Sequence, residues 1–328
     1  MVMNRKAKSN NPVVLRSGLS IGHSDAENDS EFLFDSFVDY FPVKHCMDTQ
    51  SPKMILAGRT GAGKTAILRH IKQTEKKVFD LDPRELSITY ISNSNAIAFV
   101  SAIGANLDLL FQILWRHILC IEYVKLRYGS ADENKSKSIL TTLRQKFFGS
   151  SKKDRALQYL EEYSGQFHLT MDENVKTLTQ KFESKLNAEF KIDIEKFSAG
   201  GQYDKRLSDE KKTELKRSYD RIVDAKQMQD LHAVISLLGE NEKKNDKVHY
   251  YITIDHLDSQ WADTSIRFKL IRALIETLGK FRPIENLKIL IALREDVIER
   301  VFQENNDISF QREKFDDYII KIKWTKNN

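Results

Sequence analysis

Cysteine is nearly absent: Cys46 and Cys120 are the only two in 328 residues. Two thiols support neither a disulfide framework nor a zinc site, and they fit a reducing compartment. No apolar run approaches the ~18 residues that a membrane-spanning helix needs. The opening residues, MVMNRKAKSNN, are basic and polar with no apolar stretch behind them, so a secretory signal is not expected. The expectation is a cytoplasmic chain with no membrane segment. Internal repeats are missing. So are a Ser-His-Asp or Cys-His constellation and any ligand-spaced companion for His45 or His70, which read as structural. No N-K-x-D stretch argues for guanine.

What is present is globular in character: 41% hydrophobic, 30% charged and 5 prolines, in a length sufficient for one large domain or two modest ones. A net charge of +5 permits a nucleic-acid partner, but a solvated, Lys-rich surface explains it more simply.

Residues 1–20 read as a flexible basic tail. In 22–41, Phe32, Leu33, Phe37 and Phe41 recur at helical spacing. KMILAG (53–58) is a buried strand, and KTAILRHIKQTE after it is a helix. KKVFDLDP and SITYIS are short extended candidates. Residues 96–128 are apolar and helix-periodic throughout. Within them, Trp115, Ile118, Ile121 and Leu126 sit at helical spacing, which points to core packing and away from base stacking on nucleic acid. The stretch 129–245 is Lys/Glu-rich, yet Leu and Phe return every three or four positions, so a mostly helical insertion is expected there. A hairpin is expected near FKIDIEKFSAGGQYD, and 226–240 is an amphipathic helix. Three further buried strands follow at 250–255, 287–293 and 317–324. The division is therefore a tail, an N-terminal core part at 21–128, the insertion at 129–245, and a C-terminal core part at 246–328.

GRTGAGKT (58–65) fills every position of the pattern G-x-x-x-x-G-K-[ST], between a strand and a helix. Gly58, Gly61 and Gly63 let the backbone of Gly58, Arg59, Thr60, Gly61, Ala62, Gly63, Lys64, Thr65 and Ala66 wrap round phosphate oxygens, with N–H groups turned inward. The helix beginning near Lys64 adds its positive end. Lys64 suits the β- and γ-phosphates, and the Thr65 hydroxyl suits Mg²⁺.

A second acid is needed to hold Mg²⁺ through its water shell. Asp255, at the tip of YYITI, is the best placed. In many ATPases the next residue is a glutamate that activates water; here it is His256, and the next acid is Asp258. A turn at His256–Leu257 would swing Asp258 back, so Asp258 is preferred for orienting water and His256 is the alternative. Arg294 ends the strand 287–293. If the sheet is parallel it lies on the same edge, within reach of the γ-phosphate. As a plain surface residue, it would pair with Glu295 and Asp296.

Taken together, these stretches resemble an orphan bacterial P-loop ATPase family related to the KAP and STAND branches of the AAA+-like ATPases. IGHSDAENDSEFLFDSFVDYF resembles its leader, GRTGAGKTAIL its phosphate loop, and FQILWRHIL the helix after its second strand. ITIDHLD resembles its magnesium strand and IALREDVIERV its sensor strand. The likeness spans roughly 21–324, loosely over 129–245. It implies Lys64 and Thr65 on phosphate and Mg²⁺, Asp255 on Mg²⁺, Asp258 as second acid and Arg294 as sensor. It also implies a signalling switch, often linked to anti-phage defence. Such proteins continue past the strand matching YIIKIKW into a segment that closes over the nucleotide. The expectation is slow turnover unless a partner supplies that closure.

The expected fold is α/β: a P-loop NTPase three-layer sandwich with a mainly parallel sheet and a large helical insertion. The expected function is that of a Mg²⁺-dependent, ATP-binding switch with slow hydrolysis and a protein partner or self-association. A non-hydrolysing, nucleotide-gated scaffold is the rival. FSAGGQ (197–202) suggests an ABC-type ATPase, but it lies too far before Asp255, and no glutamate follows that residue.

Overall fold

Strand order is the feature that positions everything else. In the computed structural model, five parallel strands among the described residues lie in the order β2-β3-β4-β1-β5. They are β1 (Ile55–Ala57), β2 (Val78–Leu81), β3 (Tyr250–Ile254), β4 (Leu287–Leu293) and β5 (Ile319–Lys321). The structure describes residues 41–84, 94–129, 141, 151–163, 171–191, 194, 208–223, 225–240, 248–259, 261–262, 264–303 and 311–323. All belong to one compact unit. The helices are α1 (Phe41–Met47), α2 (Lys64–Thr74), α3 (Asn95–Ala102), α4 (Asp108–Tyr128) and α5 (Ser151–Glu162). They continue with α6 (Met171–Phe190), α7 (Asp209–Ile222), α8 (Ala225–Glu240), α9 (Thr264–Leu278) and α10 (Glu295–Gln303).

The inner strands β1, β3 and β4 bury both faces, as a parallel sheet covered by helices requires, while the outer strands β2 and β5 are partly open at Asp80 and Lys321. The alternation is visible in which core each residue joins. Ile55 and Ala57, Ile252 and Ile254, Ile289 and Ile291, and Ile319 enter one large cluster with α3, α4 and α9. Leu56, Tyr251, Leu290, Ala292 and Ile320 are buried outside that cluster. They lie on the face that carries α1 and α2, both of which contact the sheet. The result is an α/β architecture compatible with three layers. Among the described residues, no helix is long and apolar enough to cross a membrane.

The strand at 287–293 has the bounds expected, and KKVFDLDP does contain a strand. The other three strands are shorter than 53–58, 250–255 and 317–324. The continuous helix expected over 96–128 is two helices. α3 stops where Gly104 turns left-handed (φ +70°), and Asn106 Oδ1 accepts the Asp108 N–H at 2.8 Å as α4 begins. All but the last residue of the expected helix in 22–41, SITYIS, FSAGGQ and nearly all of the expected hairpin lie outside the described residues.

α4 explains the apolar stretch. From Ile113 to Val124 every residue is buried, so the helix is covered on all sides. One side meets α9 and the sheet, and the other meets α6 and α8. Trp115 is fully buried and donates its indole N–H to the Leu270 carbonyl at 2.8 Å, so this aromatic belongs to the core. His117 Nδ1 meets the Tyr159 hydroxyl at 2.8 Å, tying α4 to α5. Leu160, Leu178, Leu215, Leu231 and Leu238 of the 129–245 stretch join the same cluster as the sheet residues.

α8 docks through Gly239. A Cβ there would lie 2.6 Å from the Pro283 carbonyl oxygen, which is backbone and cannot swing aside. Alanine in a helix is ordinarily better than glycine by about 1 kcal/mol. Here overpacking, at about 1–3 kcal/mol, reverses the sign. Gly239→Ala is expected to be net destabilising in urea unfolding; a variant as stable as the parent would show that this contact yields freely.

Lys288 is one of several polar groups buried in the core. It is buried on β4, and Nζ donates to the Asp48 and Ser51 carbonyls at 2.8 and 2.7 Å. Burial pushes its pKa down to about 8, against the opposing pull of Cys46 and Asp48. The folded state therefore releases this proton near pH 8, while the unfolded chain holds it to about 10.4. The unfolded state binds more protons in that window, so stability rises with pH. Relative to Lys288→Met, the parent should gain about 2 kcal/mol between roughly pH 7.5 and 9.5, measured by denaturant unfolding at each pH. A pH-independent difference would mean that the amine keeps its ordinary pKa.

Candidate functional site

The loop between β1 and α2 is built by three glycines used for two reasons. Gly58 is needed for close approach: a Cβ would sit 2.9 Å from the Ile322 carbonyl oxygen on the strand side and 3.1 Å from Ala62. Its N–H reaches Leu293 O at 3.3 Å, tying the loop to the end of β4. Gly61 and Gly63 are needed for conformation, with φ of +77° and +91°. A Cβ on either meets nothing within 4 Å, so the chain there faces open space. No side chain caps α2 through Gly63, so the N–H groups of its first turn depend on other acceptors. The side chains of Arg59 and Thr60 are exposed, Ala62 is buried against Gly58, and Ala66 is half-buried.

Lys64 folds back over its own loop and donates to Gly58 O at 3.1 Å and Arg59 O at 3.0 Å. It is half-buried, and burial lowers its pKa. Asp258 and Asp255 work against that shift, Arg294 works with it, and Asp296 opposes it. Thr65 donates its hydroxyl to Asp255 Oδ2 at 2.8 Å, a contact that spans 190 residues of sequence. The other carboxylate oxygen of Asp255 accepts the His256 N–H, also at 2.8 Å.

Strand order explains how Arg294 arrives. β4 lies between β1 and β3, so the residue after its last position emerges between the loop and Asp255. Arg294 makes a forked pair with Asp296, Nε to Oδ1 at 2.9 Å and Nη2 to Oδ2 at 2.7 Å, and Asp258 Oδ2 lies 3.9 Å from Nε. Lys64, Thr65, Asp255, Asp258 and Arg294 thus converge on one edge of the sheet.

Asp82 was not anticipated. Leu81 pairs with Ile254, so Asp82 stands beside Asp255 at the same edge. Burial works against its carboxylate, but hydrogen bonds from Arg84, the charge of that guanidinium and His256 nearby hold its pKa below the usual range. The signal was present: KKVFDLD ends in an acid, as YYITID does.

The arrangement sets the uncapped start of α2 and the Lys64 ammonium beside a group of carboxylates. Two cations, Lys64 and Arg294, face the carboxylates of Asp255, Asp258 and Asp296, so the edge carries no net positive charge of its own. Among the described residues, no group of three or more His, Cys, Asp or Glu side chains could hold a metal. A divalent ion that keeps most of its water and takes one or two protein oxygens plus phosphate fits the Thr65–Asp255 pair.

Comparison with protein-family models, curated proteins and solved structures finds no match to this chain.

Proposed function

We propose that this chain is a Mg²⁺-dependent, ATP-binding P-loop ATPase that works as a nucleotide-driven switch, of the kind its motifs resemble. The observation that carries the reading is the 2.8 Å hydrogen bond from Thr65 to Asp255, which joins the loop motif to the acid-tipped strand. Two independent local signatures, far apart in sequence, meet where phosphate-bound Mg²⁺ would need them both. The carboxylate excess around Lys64 also favours a polyphosphate that arrives with its metal.

In this reading the loop N–H groups and Lys64 hold the β- and γ-phosphates, and Thr65 and Asp255 hold the metal that neutralises them. Asp258 orients a water. The water oxygen bonds to the γ-phosphorus, the bond to the β–γ bridging oxygen breaks, and that oxygen leaves with its electron pair on ADP. The proton of the water passes to Asp258. Arg294 neutralises charge on the γ-phosphate once it leaves Asp296. ATP is the default nucleotide, the proposed location is the cytoplasm, and a protein partner or a second copy would read the switch.

The test is titration of a fluorescent ATP analogue with and without Mg²⁺, beside a phosphate-release assay. Mg²⁺-dependent binding with phosphate release supports the ATPase. Binding without release above the Lys64→Ala background leaves the scaffold alternative. No binding at all ends the nucleotide reading.

A further inference from the structure

Two residues after β3 could serve the reaction, His256 through its imidazole or Asp258 through its carboxylate, and the backbone between them separates the two roles. His256 has φ +58°, one of two non-glycine residues at positive φ among those described. Residues with a Cβ avoid this region, and β-branched residues avoid it most.

The neighbours hold it there. The His256 N–H donates to Asp255 Oδ1 at 2.8 Å. Its carbonyl accepts from the Ser259 N–H at 3.0 Å and the Ser259 hydroxyl at 2.7 Å. Leu257 is fully buried, and its carbonyl accepts the Trp261 indole N–H at 2.9 Å. Arg267 Nη1 donates to Ser259 O at 2.8 Å. The reversal that follows sends Asp258 to within 3.9 Å of Arg294. Asp258 is also the foremost of the charges felt by Lys64. The imidazole is felt instead by Asp82, at the end of β2.

We propose that His256 is a positioning residue: its left-handed backbone, not its imidazole, carries Asp258 to Lys64 and Arg294. The role in turnover rests on the ATPase reading; the placement of Asp258 does not.

The experiment compares His256→Val, His256→Asn and His256→Gly by phosphate release, Mg-ATP titration and thermal unfolding. Valine should lower kcat by roughly tenfold or more while Kd moves less than about threefold, the signature of a group used only in the reaction. Glycine and asparagine, which accept positive φ, should restore kcat to within about threefold of the parent. Adding Asp258→Asn to His256→Val should cost little beyond Asp258→Asn alone, because the two act as a unit. Glycine and asparagine variants as slow as valine would overturn the proposal in favour of imidazole chemistry. A valine variant as fast as the parent, or additive losses, would also overturn it. If the parent protein releases no phosphate, the ATPase reading fails and nucleotide-free crystal structures still decide the positioning. Asp258 kept beside Arg294 in the glycine variant and withdrawn in the valine variant supports it; Asp258 unmoved in the valine variant overturns it.

Discussion

Replacing Lys64 with alanine will weaken Mg-ATP binding by roughly 30- to 150-fold, the equivalent of about 2–3 kcal/mol for a lost charge-assisted contact. The side chain now donates to Gly58 O and Arg59 O, so it is already folded over the loop in which phosphate would sit. Those carbonyls can turn to solvent when the ammonium is removed, so folding should be little affected. Lys64→Arg is not a safe conservative control, because a planar fork cannot occupy the space of a compact ammonium. Titration of a fluorescent ATP analogue reads the effect, with thermal unfolding as the check on folding. Equal affinity in mutant and parent would remove Lys64 from the site and with it the phosphate loop.

Asparagine at 258 and at 255 will separate chemistry from metal binding. Asp258→Asn should cut phosphate release by about 10²- to 10⁴-fold with Mg-ATP affinity nearly unchanged, since an amide can hold a water but cannot take its proton. Asp255→Asn should weaken Mg-ATP binding and turnover together. Its geometry need not collapse. The amide oxygen can keep the His256 N–H, and the amide nitrogen can donate to Thr65, whose hydroxyl is free to turn and accept. What is lost is the negative charge opposite the metal. The Mg²⁺ dependence of binding should flatten in Asp255→Asn and persist in Asp258→Asn. If the two variants prove indistinguishable, the division of roles is wrong.

The Asp296 fork bears on both measurements. Arg294 is committed to Asp296 by two hydrogen bonds, Arg294 being half-buried and Asp296 exposed, and a solvent-accessible pair of this kind is worth about 0–1 kcal/mol. A γ-phosphate would offer a stronger partner, so the fork delays Arg294 without withholding it.

The sequence by itself determined the phosphate-loop-like turn, the central strands and the buried character of the long apolar stretch. GRTGAGKT specified a loop because glycine takes the positive φ at 61 and 63 without steric cost and alone allows the 2.9 Å approach at 58. YYITID and NLKILIALR declared buried strands tipped with charge, because continuous apolar runs suit a sheet covered on both faces. The apolar character of 96–128 announced burial. Its break at Gly104 is masked in the sequence because helical periodicity continues on either side, although GAN carries a turn signal.

Only the tertiary structure decided the rest. Pairing partners in a parallel sheet are chosen by how the connecting helices pack, so nothing local states that β4 lies between β1 and β3 or that Arg294 therefore emerges between Lys64 and Asp255. Nothing local states that Asp82 stands beside Asp255. The positive φ of His256 is equally invisible, because a residue with a Cβ enters that region when surrounding contacts impose it, and here those contacts come from Asp255, Ser259, Trp261 and Arg267.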